Sequence, residues 1–140
     1  MDFQLDPAFL ATSHAVGDLG LSHVRLHGDV RYAWLVLIPR IAGLRELEDL
    51  TEDARARLMS DIVLAGAAVR AVGQALAVPV EKLNVGQLGN LTPQLHVHVV
   101  GRWSGDPAWP NPVWGHSVAQ VYSSETLLDA VMAARRALGL

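Results

Sequence analysis

From Thr51 to Leu76 the chain keeps one apolar stripe. Ala54, Leu58, Ile62, Ala65, Val69, Val72 and Leu76 recur at spacings of four and three, the period of an α-helix with one buried face. Thr51 offers an N-cap oxygen, and Glu52 and Asp53 put negative charge at the positive end of the helix dipole. Asp53, Arg57, Asp61, Arg70 and Gln74 decorate the other side, and Pro79 stops the run. The stripe carries no group suited to chemistry. It is a cover for a core whose second layer must come from elsewhere.

That layer reads as strands. LSHVRLH (21–27) largely alternates apolar and polar residues, GDVRY (28–32) is a turn, and AWLVLIP (33–39) is a more fully buried strand. The two pair as an antiparallel hairpin. KLNVGQL (82–88) is a third strand, GNLTP (89–93) a turn, and QLHVHVV (94–100) a fourth strand. Asp6 before Pro7 predicts a short helix over 7–13. Ser124 with Glu125 begins a C-terminal helix carrying Leu128, Val131, Met132 and Leu138. Residues 101–117, GRWSGDPAWPNPVWGHS, hold three tryptophans and three prolines and are predicted irregular, because proline fixes φ and donates no amide hydrogen. The fold class is α+β, an antiparallel sheet with helices on one side. No repeat or linker divides residues 1–140, so one domain is expected.

Composition narrows the function. With 51% hydrophobic and 18% charged residues, the chain is globular rather than disordered. A net charge of −3, one lysine (Lys82) and scattered arginines argue against a nucleic-acid surface, which needs a basic stripe. The absence of cysteine excludes disulfides, thiolate nucleophiles and Cys-type zinc sites. MDFQLDPAF lacks the basic region of a signal peptide. Arg70 interrupts the longest apolar run, leaving nothing that reads as a membrane span. A cytoplasmic protein without a membrane partner is expected.

The chemistry concentrates in LTPQLHVHVV (91–100). On a strand, Gln94, His96 and His98 share one face, while Leu95, Val97 and Val99 share the other. The apolar face can pack on the long helix; the polar face must meet solvent or a site. Three readings are open: histidines on a solvated sheet face, a shared metal needing at least a third ligand, or nucleophilic catalysis on a phosphate ester or anhydride. Gly86, Gly89 and Asn90 lie just before the strand and would let backbone donors approach a phosphate.

The segment LNVGQLGNLTPQLHVHVVGR closely resembles the signature of the histidine triad (HIT) superfamily, His-φ-His-φ-His-φ-φ with φ apolar, preceded by an Asn and a glycine-containing turn. LHGDVRYAWLVLIPR (26–40) resembles the family's strand-turn-strand around the nucleoside, and ELEDLT (46–51) leads into the helix as it does there. The resemblance implies a five-stranded antiparallel sheet, with the fifth strand around 15–19 or in 118–122. It also implies a homodimer with a ten-stranded sheet. The implied activity is a nucleotide hydrolase or nucleotidyl transferase attacking the α-phosphorus of a dinucleoside polyphosphate or nucleoside phosphoramidate.

Residue by residue, His96 matches the nucleophile that forms a nucleotidyl-imidazole intermediate. His98 matches the histidine that contacts the phosphate and handles the leaving group's proton. Asn84 and Gly89 match the polar residue and the turn glycine of the phosphate pocket, Asp29 the residue that holds ribose hydroxyls, and Leu21 and Leu26 the apolar base pocket. No metal or other cofactor is implied; the partner is a nucleotide or dinucleotide. Two positions depart from the pattern. Gln94 stands in place of the first histidine, and an amide can orient a neighbour but cannot titrate near neutrality. Leu91 stands where a hydroxyl residue is common, with Thr92 adjacent. An enzyme using His96 is the leading reading, and a nucleotide-binding protein with a decayed triad is its rival.

Overall fold

The computed structural model describes residues 1–140. Five strands form one antiparallel sheet: β1 (Ser13–Asp18), β2 (Ser22–His27), β3 (Trp34–Pro39), β4 (Lys82–Gly86) and β5 (Val97–Arg102). Their spatial order is β1-β2-β3-β5-β4. Three helices accompany them: α1 (Ala8–Thr12), α2 (Glu52–Ala75) and α3 (Ser124–Leu138). The fifth strand is the N-terminal one of the two expected places. Residues 118–122 are not a strand, although Val30 donates its amide to the Gln120 carbonyl.

α2 starts where the capping pattern put it, with the Thr51 hydroxyl accepting from the Ala54 amide at 3.1 Å. It ends at Ala75, three residues before Val78 and the proline. Ala77 takes a left-handed φ of 55°, and the Val78 amide closes back on the Gly73 carbonyl. Pro79 thus follows the stop rather than making it. α3 is capped by Ser123, whose hydroxyl accepts from the Thr126 amide.

Strand alternation divides the sheet into two faces. Val24, Leu26, Leu35, Leu37 and Val99 point to one face and are buried against Ala65, Val69 and Val72 of α2 and Ala130, Ala134 and Leu138 of α3. Trp34, Val36, Ile38 and Val100 point to the other, where Phe9, Tyr32, Ala108 and Val113 cover them. The long helices α2 and α3 therefore cover one side, as expected, whereas the short α1 packs Phe9 on the other. The second side is covered too, by the N-terminal segment and by the tryptophan- and proline-rich segment. Cover on both sides explains why β3 reads as an unbroken apolar run; all six of its residues are buried.

The fourth predicted strand needs correcting. β5 begins at Val97, not residue 94, and runs on to Arg102. Leu95 donates its amide to the Leu44 carbonyl instead of to a neighbouring strand. Gln94 is engaged by the N-terminal segment, so residues 94–96 leave the sheet ladder. At the other end, the Gly101 amide reaches the Ala33 carbonyl and the Glu81 amide reaches the Arg102 carbonyl, extending the pairing. β4 likewise stops at Gly86, opposite His98, two residues short of its predicted end.

Candidate active site

The face of the sheet opposite α2 and α3 holds a cavity of about 380 Å³. His98 on β5 and His27 at the end of β2 form its floor with Val36; His96, just ahead of β5, stands beside them. Ala8, Phe9 and Thr12 of α1 make one wall, residues 88–92 a second, and Trp114 with Gly115 a third.

His96 and His98 each have one ring nitrogen committed. Nδ1 of His96 lies 2.7 Å from the Gln94 carbonyl oxygen. A carbonyl only accepts, so Nδ1 carries the hydrogen and the lone pair of the neutral ring sits on Nε2. The ring is held edge-on by Phe9 at 4.9 Å and stands 5.0 Å from the His98 ring. His98 has the opposite tautomer. Its Nδ1 accepts from the Trp34 indole N–H at 2.9 Å, so its hydrogen is on Nε2. Burial, helped by His96 and His27, pushes the His98 pKa down to about 3, which keeps the ring neutral. His27 stacks on Trp34, with centroids 3.9 Å apart and planes 29° from parallel. Burial lowers its pKa as well, against the opposing pull of Asp29.

Glycine supplies room at two points. Gly89 adopts φ 117°, a conformation that L side chains rarely take, and this turns the 88–92 loop toward the cavity. At Gly86 a Cβ would fall 2.9 Å from the edge of Trp114. A glycine there lets the edge of the indole approach the end of β4 this closely.

The tryptophan- and proline-rich segment is fastened by one ion pair. Arg102 and Asp106 are both buried, and the guanidinium spans the carboxylate with contacts of 2.7 and 3.0 Å. Arg102 also donates to Asn84 Oδ1 at 2.8 Å and to the Asn111 carbonyl, while Asp106 accepts the amides of Ala108 and Trp109. Burial opposes the Asp106 charge, but Arg102 and the amides outweigh it and hold the carboxyl below its usual range. With every polar atom engaged, the pair escapes the penalty of an uncompensated buried charge.

The predicted residues divide accordingly. His96, His98, Gly89 and Thr92 line the cavity. Asn84 faces the same side but is held by Arg102 outside the lining. Asp29 is buried and spanned by Arg31 at 3.0 and 2.8 Å, with further amides from Arg31 and Gln120. Leu26 lies on the α2 face with no exposed surface, and Leu21 packs with Leu44, Leu50 and Leu95. Gln94 turns away altogether. Its Oε1 accepts the Asp6 amide at 2.8 Å and its Nε2 donates to the Gln4 carbonyl at 2.9 Å.

Sequence reasoning passed over His27, Trp34 and Phe9. Strand parity held the signal for two of them: His27 lies opposite in phase to Leu26, and Trp34 shares phase with Val36 across from His98. Phe9 comes from a distant segment and left no local trace. No group of three or more His, Asp or Glu side chains is arranged to hold a metal ion.

The HIT domain model matches residues 9–105. A histidine triad protein from Bradyrhizobium japonicum is 36% identical, covers 99% of both chains and superposes with a TM-score of 0.91. One from Sinorhizobium meliloti is 36% identical over 97% of each chain, with a TM-score of 0.89. One from Marinobacter aquaeolei is 33% identical over 99% of this chain and 98% of its own, with a TM-score of 0.87. No curated protein matches the chain. With the family model spanning most of the chain and solved histidine triad proteins superposing over nearly all of it, the chain belongs to the HIT domain family, a superfamily of nucleotide-binding hydrolases and transferases.

Proposed function

We propose that the protein transfers or hydrolyses the nucleotidyl group of a nucleoside phosphate derivative, with Nε2 of His96 as nucleophile. The observation that carries this is the 2.7 Å contact between His96 Nδ1 and the Gln94 carbonyl, which leaves a lone pair on the nitrogen away from the backbone. That lone pair forms the N–P bond at the α-phosphorus as the bond to the leaving group breaks, and water then releases the nucleotide from His96. His98, neutral and with its hydrogen on Nε2, is a donor for a non-bridging phosphoryl oxygen. Gly89 and Thr92 contribute the turn around the phosphate. Asn84, Asp29 and Leu26 act at one remove, by holding Arg102, Arg31 and the α2 face.

The test is to trap the intermediate. Wild-type protein mixed with a dinucleoside polyphosphate and quenched in base should gain one nucleotidyl mass on the peptide containing His96, and His96→Gly should gain none. A rival reading draws on Gln94, whose side chain lies outside the cavity: a protein that binds nucleotides without turning them over. Saturable binding with no adduct on any substrate would establish that rival.

We further propose a homodimer joined through β4, an edge of the sheet with unpaired backbone groups. Val85 on β4 is 53% exposed, and beside it on α2 lies Met59, 59% exposed. An apolar edge of this kind fits a self-complementary interface. Sedimentation equilibrium should give twice the chain mass, and Val85→Lys should return it to one.

A further inference from the structure

The cavity presents a nucleophile and neutral donors, and the fate of the leaving group's proton follows from how each polar side chain is occupied. Position 94 offers no acid: its amide is clamped across Gln4 and Asp6, outside the cavity lining. His98 keeps one neutral hydrogen on Nε2 while Trp34 fills Nδ1. Giving up that hydrogen would leave an anionic imidazole, which no adjacent cation stabilises; its ring neighbours are His96, Trp34 and Trp114. The Ser13 hydroxyl donates to the Phe9 carbonyl and accepts from Arg25, and the Thr12 hydroxyl donates to the Ala8 carbonyl. His27 is stacked face-on against Trp34, and burial disfavours its charged form. No carboxyl group lines the cavity, and the remaining polar side chains of its lining, Asn90 and Thr92, are a neutral amide and an alcohol, too weakly acidic to protonate a leaving group.

We infer that this chain accepts only nucleotidyl donors whose leaving group departs as a stable anion, such as a phosphate, a pyrophosphate or an acidic phenolate, and rejects those that must leave as an alkoxide or an amine. The inference rests on the nucleotidyl-transfer reading above and names its substrate class. In the step, the Nε2 lone pair of His96 forms the N–P bond, the electron pair of the breaking P–O bond leaves with the leaving group, and no proton crosses from protein to product. An amine fits this scheme badly, because its nitrogen must be protonated to depart.

Single-turnover formation of the nucleotidyl adduct tests it, with p-nitrophenyl and phenyl 5′-phosphodiesters of adenosine, guanosine, cytidine and uridine as probes. A positioned acid normally contributes roughly 10²–10⁴-fold to such a step. Without one, the p-nitrophenyl ester should react at least about a hundredfold faster than the phenyl ester, and the 5′-phosphoramidate should give no detectable adduct. Gln94→Ala should leave the ratio between the two esters unchanged. Similar rates for both esters, or a ratio that widens on Gln94→Ala, would overturn the inference by revealing proton delivery. An absence of adduct from every p-nitrophenyl ester would instead overturn the nucleotidyl-transfer reading and the inference with it.

Discussion

The two faces of the sheet are built on different principles. The helical face is dry, and its side chains are small and aliphatic: Val24, Leu35, Leu37 and Val99 against alanines and valines of α2 and α3. The opposite face carries polar and aromatic groups of the site, His27, Trp34, His98 and Arg102. Two long helices cover the first face; short and irregular segments cover the second. A regular helix can bury a face but cannot leave a shaped hole in it. Covering the second face from two ends leaves the gap in which His96 and His98 work.

If that division is right, mutations on the two faces should separate activity from stability. The largest effect is expected at His96. His96→Ala should lower turnover by at least about a thousandfold, as for other nucleophile deletions, with circular dichroism and melting temperature close to those of wild type. Leu35→Ala, on the dry face, should do the reverse. It should cost about 2–5 kcal/mol of unfolding free energy in urea titration and leave kcat per folded molecule little altered. Arg102→Met would sharpen the contrast. It leaves Asp106 charged and buried, so it should cost about 3–5 kcal/mol and also lower activity, because the segment bearing Trp114 loses its anchor.

The dry face was almost fully legible in the sequence. Its stripe on α2 and the alternation of β2 and β5 follow from two periods that need no knowledge of distant residues. Site residues were legible only where the signal was local, as in QLHVHVV and the glycine turn before it. Gln94 was assigned to the catalytic face on strand parity, and parity fails there because residues 94–96 have left the sheet. Asp29 and Asn84 sit on the expected elements, yet Arg31 of the same turn has taken the first and Arg102 of the neighbouring strand the second. The Asn84 partner lies eighteen residues away on β5, and no local pattern encodes that pairing.

A smaller effect should come from Trp34→Phe, which keeps an aromatic ring against His27 and removes the N–H donor to His98. Imidazole nitrogen-15 shifts should show His98 losing its single tautomer, and kcat should fall about tenfold, one hydrogen bond's worth of 1.4 kcal/mol, with KM little changed. The same ring predicts a pH dependence. The folded pKa of His98 is about 3, well below the ordinary imidazole value of 6.5, so the unfolded chain binds the extra proton between these limits. Its contribution to stability is therefore complete above pH 6.5 and declines as pH falls toward 3. His98→Gln should flatten the part of the stability loss seen between pH 7 and pH 5; an unchanged slope would mean that the ring is not held neutral.

The smallest effect is expected at Gln94, and it bears most directly on what the altered triad position does. Its side chain touches neither imidazole; it closes two hydrogen bonds on the backbone of residues 4 and 6, which lead into α1 and so place Phe9 against His96. Gln94→Ala should cost about 1–2 kcal/mol, the worth of two partly exposed hydrogen bonds, and hydrogen exchange at the Asp6 amide should quicken while that at Val99 holds. Gln94→His should behave the same way, because the two nitrogens of an imidazole point apart along divergent directions and cannot bridge the Asp6 amide and the Gln4 carbonyl as the carboxamide does. A large gain in rate from Gln94→His would mean that this position can still take part in the chemistry, and the separation of clamp from catalyst would fail. A loosened N-terminal segment without such a gain would fix position 94 as part of the wall that holds the site in shape.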